Sequence, residues 1–259
     1  MGAGARRAGG AALVKVLRLA LSHDLRSDIP EAERQYVIAQ RVLEEATGEP
    51  WETILRPIWP GEKLPGLVDR WVEEERPDLV MVCMAGYWAV FGSVALRLER
   101  RAPLVGRFAA RAARRTAGTR VAANHRLTET TRSFATRVLG VDYYFEPAEV
   151  VGRFDSILQR LCRNEDLVIA VRGPGPAPQS VPPRIERDRG RRHKLYRDGI
   201  EAVCARLHIA HLPFAEEPDG TRLPGDPSHY TSAGTRLHGL REGELMVRAW
   251  AAVHPPVRG

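Results

Sequence analysis

The chain has 259 residues, 44% of them hydrophobic and 27% charged. These are the proportions of a folded, soluble protein with a substantial core, and they exclude disorder as the general state. Lys15 and Arg18 interrupt the most apolar N-terminal stretch, so no run reaches the ~20 apolar residues of a membrane span. The same two charges count against a secretory signal, although Arg6-Arg7 precedes Ala11-Ala12-Leu13-Val14. A cytoplasmic location is the expectation.

The formal net charge is +7, but Lys15, Lys63 and Lys194 are the only lysines, so 36 of the 39 basic residues are arginines. That skew reads as a GC-rich coding sequence. With no helix-turn-helix, zinc-finger or RNP-type signature beside it, nucleic acid is not an expected partner. Cys83, Cys162 and Cys204 are odd in number and far apart, each inside an apolar-periodic segment. They read as buried thiols, with no disulfide frame or metal cluster among them.

In chain order, apolar and β-branched content predicts strands at 14–21, 53–58, 79–84, 167–171 and 208–214. Helical patterns alternate with them. The first follows a cap at Ser27 or Asp28, starts at Pro30-Glu31 and stops at Thr47-Gly48. The second, 64–75, places Leu64, Leu67, Val68 and Trp71 on one face. Others fall at 147–161, 186–207 and 232–253. Strands alternating with helices predict a parallel sheet covered on both faces. Five of them give a flavodoxin-like three-layer α/β/α fold, with 1–259 as a single domain.

About eighty residues separate the third and fourth strands, more than a plain crossover needs. The segment 89–120 is arginine-rich and helical in pattern, so a helical insertion over about 89–146 with a solvated basic face is expected. The cluster Arg184, Arg187, Arg189, Arg191 and Arg192 likewise reads as a solvated helix start. His208 and His211 fall in a strand pattern and read as structural.

Ligands of open α/β sheets bind at the carboxyl ends of the strands. The segments leaving those ends are Leu21-Ser22-His23-Asp24, Trp59-Pro60-Gly61-Glu62 and Ala85-Gly86-Tyr87-Trp88. A Gly/Pro-rich loop before the last helix holds Asp226-Pro227-Ser228-His229. Each residue type has a chemical reason to be there. A serine hydroxyl is a weak nucleophile until a histidine takes its proton. The histidine in turn needs a carboxylate to fix its tautomer and stabilise the imidazolium. Asp226 and His229, three apart, form a compact acid–base pair. Backbone N–H groups at Ser22 and Gly61 are candidate oxyanion donors, each worth ~3–4 kcal/mol in such sites. His23, adjacent to Ser22 on an extended segment, points the other way.

With these residues in this order the sequence resembles the SGNH (GDSL-type) hydrolase superfamily. Residues 15–22 look like that family's first strand running into its Gly-Asp-Ser block. Pro60-Gly61 matches the second-block glycine, and Pro77-Asp78-Leu79-Val80 the strand into the third block. The segment from Asp226 to Gly234 is similar to the fifth block, Asp-x-x-His before a small-residue helix start. The resemblance implies a flavodoxin-like fold and an ester hydrolase working without metal or cofactor on a small or medium acyl ester. It makes Ser22 the nucleophile, His229 the base, Asp226 its orienting partner and Gly61 an oxyanion donor.

The sequence also departs from the family. Ala20 and Leu21 stand where the family has Gly and Asp. A second register sets Ser22-His23-Asp24-Leu25 against Gly-Asp-Ser-Leu, which puts Asp24 in the serine's place and leaves no nucleophile. The third-block asparagine is absent in either register, leaving Tyr87 or Trp88 as substitute donors and Asn124, in the insertion, as a remote one. A member of the fold that binds a ligand without turning it over is therefore the alternative expectation.

Overall fold

The computed structural model describes residues 13–21, 24–25, 29–101, 136–175, 182–213, 218, 220–223 and 226–255, with the backbone alone at 226–229. Ser22, His23, Ser27, Asp28, Asn124 and most of the arginine-rich segment lie outside the described residues. Five strands, β1 (Val14–Ala20), β2 (Trp51–Pro57), β3 (Leu79–Cys83), β4 (Val168–Arg172) and β5 (Ala210–Leu212), form one sheet in the order β2-β1-β3-β4-β5. Every pairing in it is parallel. This is the doubly wound flavodoxin-like order, whose switch point falls between β1 and β3. β3 is buried at every residue, as a central strand covered on both faces must be.

The helices are α1 (Gln35–Thr47), α2 (Leu64–Glu75), α3 (Val94–Arg101), α4 (Pro147–Leu161), α5 (Pro183–Arg206) and α6 (Ser232–Val253). One group, α1 with α6, packs on one another, and α6 also meets β4 and β5; α4 packs against α2 and α5 in a second group. A short antiparallel pair, β6 (Arg222–Leu223) with β7 (Asp226–Tyr230), precedes α6.

Several local expectations are corrected. β5 is three residues long, because His208 takes a left-handed conformation (φ 56°) and the chain closes off α5 there through the Ile209 N–H to Cys204 carbonyl bond. Before α1, residues Glu31–Glu33 form a 3-10 turn, and the α-helix itself starts at Gln35. Cys83 and Cys204 are buried, but Cys162 is exposed just past the end of α4.

The helical expectation for the insertion holds at α3 and at residues 136–139. Its two ends are tied by paired backbone bonds between Ser93 and Asp142 (2.8 and 3.2 Å), with Arg97 bridging to the Asp142 carboxylate. The insertion therefore leaves and rejoins the domain at one place.

The solvated reading of the arginine cluster holds at Arg184, Arg187 and Arg191 and is overturned at Arg189 and Arg192, which are buried. Arg192 lies 3.8 Å from the Tyr143 ring centroid and donates to the carbonyls of Ala89 and Phe145, while Arg189 covers Phe91. Both guanidinium groups lie over aromatic faces, and that of Arg192 also binds backbone carbonyls and the Glu146 carboxylate, which offsets the cost of burial.

The contact between α1 and α6 is close because glycines line it. A Cβ on Gly243 would lie 2.5 Å from the Val42 Cβ, and one on Gly239 would lie 2.8 Å from that of Ile38. Gly243→Ala gains about 1 kcal/mol of helix propensity, yet it must push the two helices apart. We expect a net destabilisation of about 1–2 kcal/mol by urea unfolding; a stabilised variant would contradict this packing.

Candidate active site

A cavity of about 430 Å³ opens at the carboxyl ends of β1, β2, β3 and β4, at the β1/β3 switch point. Ala20 and Leu21 reach it from β1, Pro57 to Trp59 from β2, Met84 to Trp88 from β3 and Arg172 from β4. Arg222 and Tyr230 of the β6–β7 pair also line it. Most of its wall is apolar, as in sites that receive an apolar ligand and orient it with a few polar groups.

The mouth is aromatic. Trp59 and Tyr87 remain 45% and 44% exposed. Trp59 meets Tyr144 and Phe145 at centroid distances of 5.2 and 5.6 Å, and Tyr87 meets Tyr144 at 5.6 Å. Tyr144 and Phe145 belong to the returning end of the insertion, which was read from the sequence as a helical segment with a solvated basic face. Trp88, by contrast, is buried and stacks on Phe154 of α4 at 5.5 Å. Of the two substitute donors read from the sequence, Tyr87 is the one at the mouth.

Beneath this cavity lies a feature that sequence reasoning missed: four buried charges linked in a row. Arg18, 1% exposed in the middle of β1, pairs with Asp24 (2.9 Å) and with Glu242 on α6 (2.9 Å). The second oxygen of Glu242 pairs with Arg172 (3.0 Å) and also accepts from the Gln35 side chain on α1. Arg172 donates in addition to the Tyr230 hydroxyl at 2.9 Å. Asp24 accepts the Leu21 N–H (3.1 Å) while its own N–H donates to the Leu21 carbonyl (3.0 Å).

Burial alone would push the Glu242 carboxyl up; Arg18 and Arg172 outweigh it and hold the group below its ordinary value. For Arg18, burial works against the charged form, and the carboxylates of Asp24 and Glu242 overcome it, so the guanidinium stays charged. The Cys83 thiol beside them is pushed up to about 12 by desolvation, which makes it inert at neutral pH.

The residues read from the sequence fall around the cavity as follows. Leu21, immediately before Ser22, lines it, and so does Tyr230, immediately after His229. Ser22 itself and the side chains of Asp226 and His229 lie outside the described residues. The segment holding Asp226 and His229 is strand β7, where a loop was expected. Asp24, the serine's rival in the second register, is buried in its ion pair with Arg18. Gly61 does not line the cavity, and its N–H donates to the Trp59 carbonyl at 2.7 Å.

The junction between β7 and α6 is held firmly. The Thr231 hydroxyl caps α6 by accepting from the Gly234 N–H (3.2 Å) and donates to the Gly220 carbonyl (2.8 Å). A Cβ on Gly234 would sit 2.0 Å from the Thr221 carbonyl oxygen, so only glycine lets the first turn of α6 lie this close to the residue that leads into β6.

No family model matches the chain, and no curated protein matches it in sequence. Solved structures do match in fold. TesA is 14% identical, with 94% of this chain and 99% of that one covered and a TM-score of 0.51. The psychrotrophic esterase EstA from Pseudoalteromonas sp., inhibited by monoethylphosphonate, is 9% identical, with 92% and 98% covered and a TM-score of 0.52. A catalytic mutant of Axe2, an acetylxylan esterase from Geobacillus stearothermophilus, is 10% identical, with 96% and 100% covered and a TM-score of 0.50. The fold is thus the one these three structures share, as the sequence resemblance implied. Among the described residues no helix is long and apolar enough to cross a membrane.

Because the Glu242 carboxyl is held below its ordinary value of 4.5 in the folded chain, its contribution to stability is complete above that value. It is lost as pH falls through the lower folded-state value. Urea unfolding from pH 6 down to pH 3 is expected to show stability dropping below about pH 4.5. A flat profile across that window would contradict the charged state of the buried cluster.

Proposed function

We propose that the protein is an SGNH-type serine hydrolase that cleaves a small or medium acyl ester through an acyl-enzyme. The observation that carries this reading is the cavity at the β1/β3 switch point, bounded by Leu21 next to Ser22 and by Tyr230 next to His229, in a fold shared with esterases. The burial of Asp24 in its pair with Arg18 supports the register in which Ser22 is the nucleophile, since an ion-paired carboxylate away from solvent serves the structure.

In the proposed reaction the Ser22 Oγ attacks the ester carbonyl carbon while His229 takes the hydroxyl proton, and Asp226 steadies the resulting imidazolium. Collapse of the tetrahedral intermediate breaks the acyl C–O bond, and the alcohol leaves with the proton held by His229. Water then repeats the sequence on the acyl-serine and releases the acid. The acyl chain occupies the apolar cavity, and the leaving alcohol faces the aromatic mouth. Backbone N–H groups at Ser22 and Gly61 serve the oxyanion, which requires Gly61 to turn into the cavity wall it does not line here and its N–H to exchange the Trp59 carbonyl for the substrate oxygen.

That last requirement favours a second reading. With the Gly61 N–H given to Trp59, the same fold could bind an acyl ligand and leave it intact. The two readings separate on a panel of short- and medium-chain aryl esters. The hydrolase reading expects turnover that falls at least about 10³-fold in both Ser22→Ala and His229→Ala, with unchanged circular dichroism. Absence of turnover from folded wild type, together with thermal stabilisation by the product acids, would establish the binding reading instead.

A further inference from the structure

The four buried charges present a puzzle of cost. Taking each ion out of water costs several kcal/mol, and well-packed apolar residues in the same space are often equally or more stabilising. Two arginines and two carboxylates nonetheless sit under this cavity, balanced in charge and reaching the elements on both of its sides. Glu242 is the join. Its Oε2 takes Arg18, which holds Asp24 and through it the backbone N–H of Leu21 at the end of β1. Its Oε1 takes Arg172, which holds the Tyr230 hydroxyl at the end of β7. Both oxygens of one side chain on α6 are thus assigned, one to each arm. Gln35 on α1 accompanies the second arm, and the glycine-lined approach of the two helices brings it within reach.

We propose that Glu242 is a positioning residue that couples the end of β1, next to Ser22, to the end of β7, next to His229. It fixes the separation of the two segments through the arms Arg18–Asp24 and Arg172–Tyr230. The inference rests on the hydrolase reading for its catalytic consequence, but the coupling itself is a property of the fold. A buried carboxylate shared by two arginines has one geometry in which both arms are satisfied, and loss of its charge leaves each guanidinium to find another partner. The two segments then move independently. A nucleophile and base held apart by an extra ångström lose rate without losing the cavity that binds substrate.

Hydrogen exchange read by mass spectrometry on full-length wild type and Glu242→Gln tests the coupling, with ester kinetics on the same samples. Exchange should quicken by about tenfold or more in peptides covering 19–25 and 226–231, and stay unchanged in the α4 peptide 147–161. Turnover should show kcat lowered by about tenfold to a hundredfold with KM nearly constant. Unchanged exchange in either segment, or an equal rise across all three peptides, would overturn the proposal. If wild type turns over no ester, the hydrolase reading fails by itself, and the exchange pattern still decides the coupling.

Should Glu242→Gln not fold, Tyr230→Phe removes a single oxygen from the far end of one arm. It is expected to quicken exchange at 19–25 as well as at 226–231. A change confined to 226–231 would overturn the coupling.

Discussion

The two ion pairs that Glu242 makes with Arg18 and Arg172 are the constraint on which this molecule's cavity floor depends. Arg18 stands where a doubly covered strand would ordinarily carry a valine or leucine, and it stays charged there only because Asp24 and Glu242 meet it within 2.9 Å. Once Arg18 is in β1, the rest follows from the cost of an unpaired buried ion. Asp24 must turn back under the strand end, α6 must approach closely enough to deliver Glu242, and Gly239 and Gly243 on α6 must leave room for Ile38 and Val42 of α1. Arg172 at the end of β4 then completes the charge balance and carries it to Tyr230.

Around this base the cavity is assembled from parts that are independently fixed. The apolar strand ends supply its floor, and the β6–β7 pair supplies one wall, held against α6 by Thr231 and by the missing side chain of Gly234. The insertion packs Tyr144 and Phe145 against Trp59 at the mouth. Its root is fastened by Arg192, whose guanidinium stacks on Tyr143 and bonds the carbonyls of Ala89 and Phe145. An insertion rooted this firmly can shape the entrance to the cavity while the strand ends form its floor.

Much of this was legible in the sequence because periodicity reports burial directly. The continuous apolar runs of β3 and β4 and the helix–strand alternation led to the correct sheet and layer arrangement, and the ends of the strands pointed to the edge where the cavity lies. The remainder was hidden by distance along the chain or by chemistry that charge alone does not reveal. Arg18 reads as an interruption of an apolar stretch, and nothing local connects it to a glutamate on the last helix. Arg189 and Arg192 read as solvated in a basic cluster, although their spacing to His193, Tyr196 and Ile200 places them on the buried face of α5. That helical spacing was a usable signal. The left-handed turn at His208, which shortens β5, carries no glycine to announce it.

The central claim is that Ser22 and His229 act as nucleophile and base at this cavity, and it is tested most directly by covalent labelling. Wild type, Ser22→Ala and His229→Ala would be treated with a fluorophosphonate probe and the modified peptide located by mass spectrometry. The account predicts one adduct, on Ser22, formed by wild type and lost or strongly slowed without His229. No adduct on folded wild type, or an adduct that persists in Ser22→Ala, would contradict it.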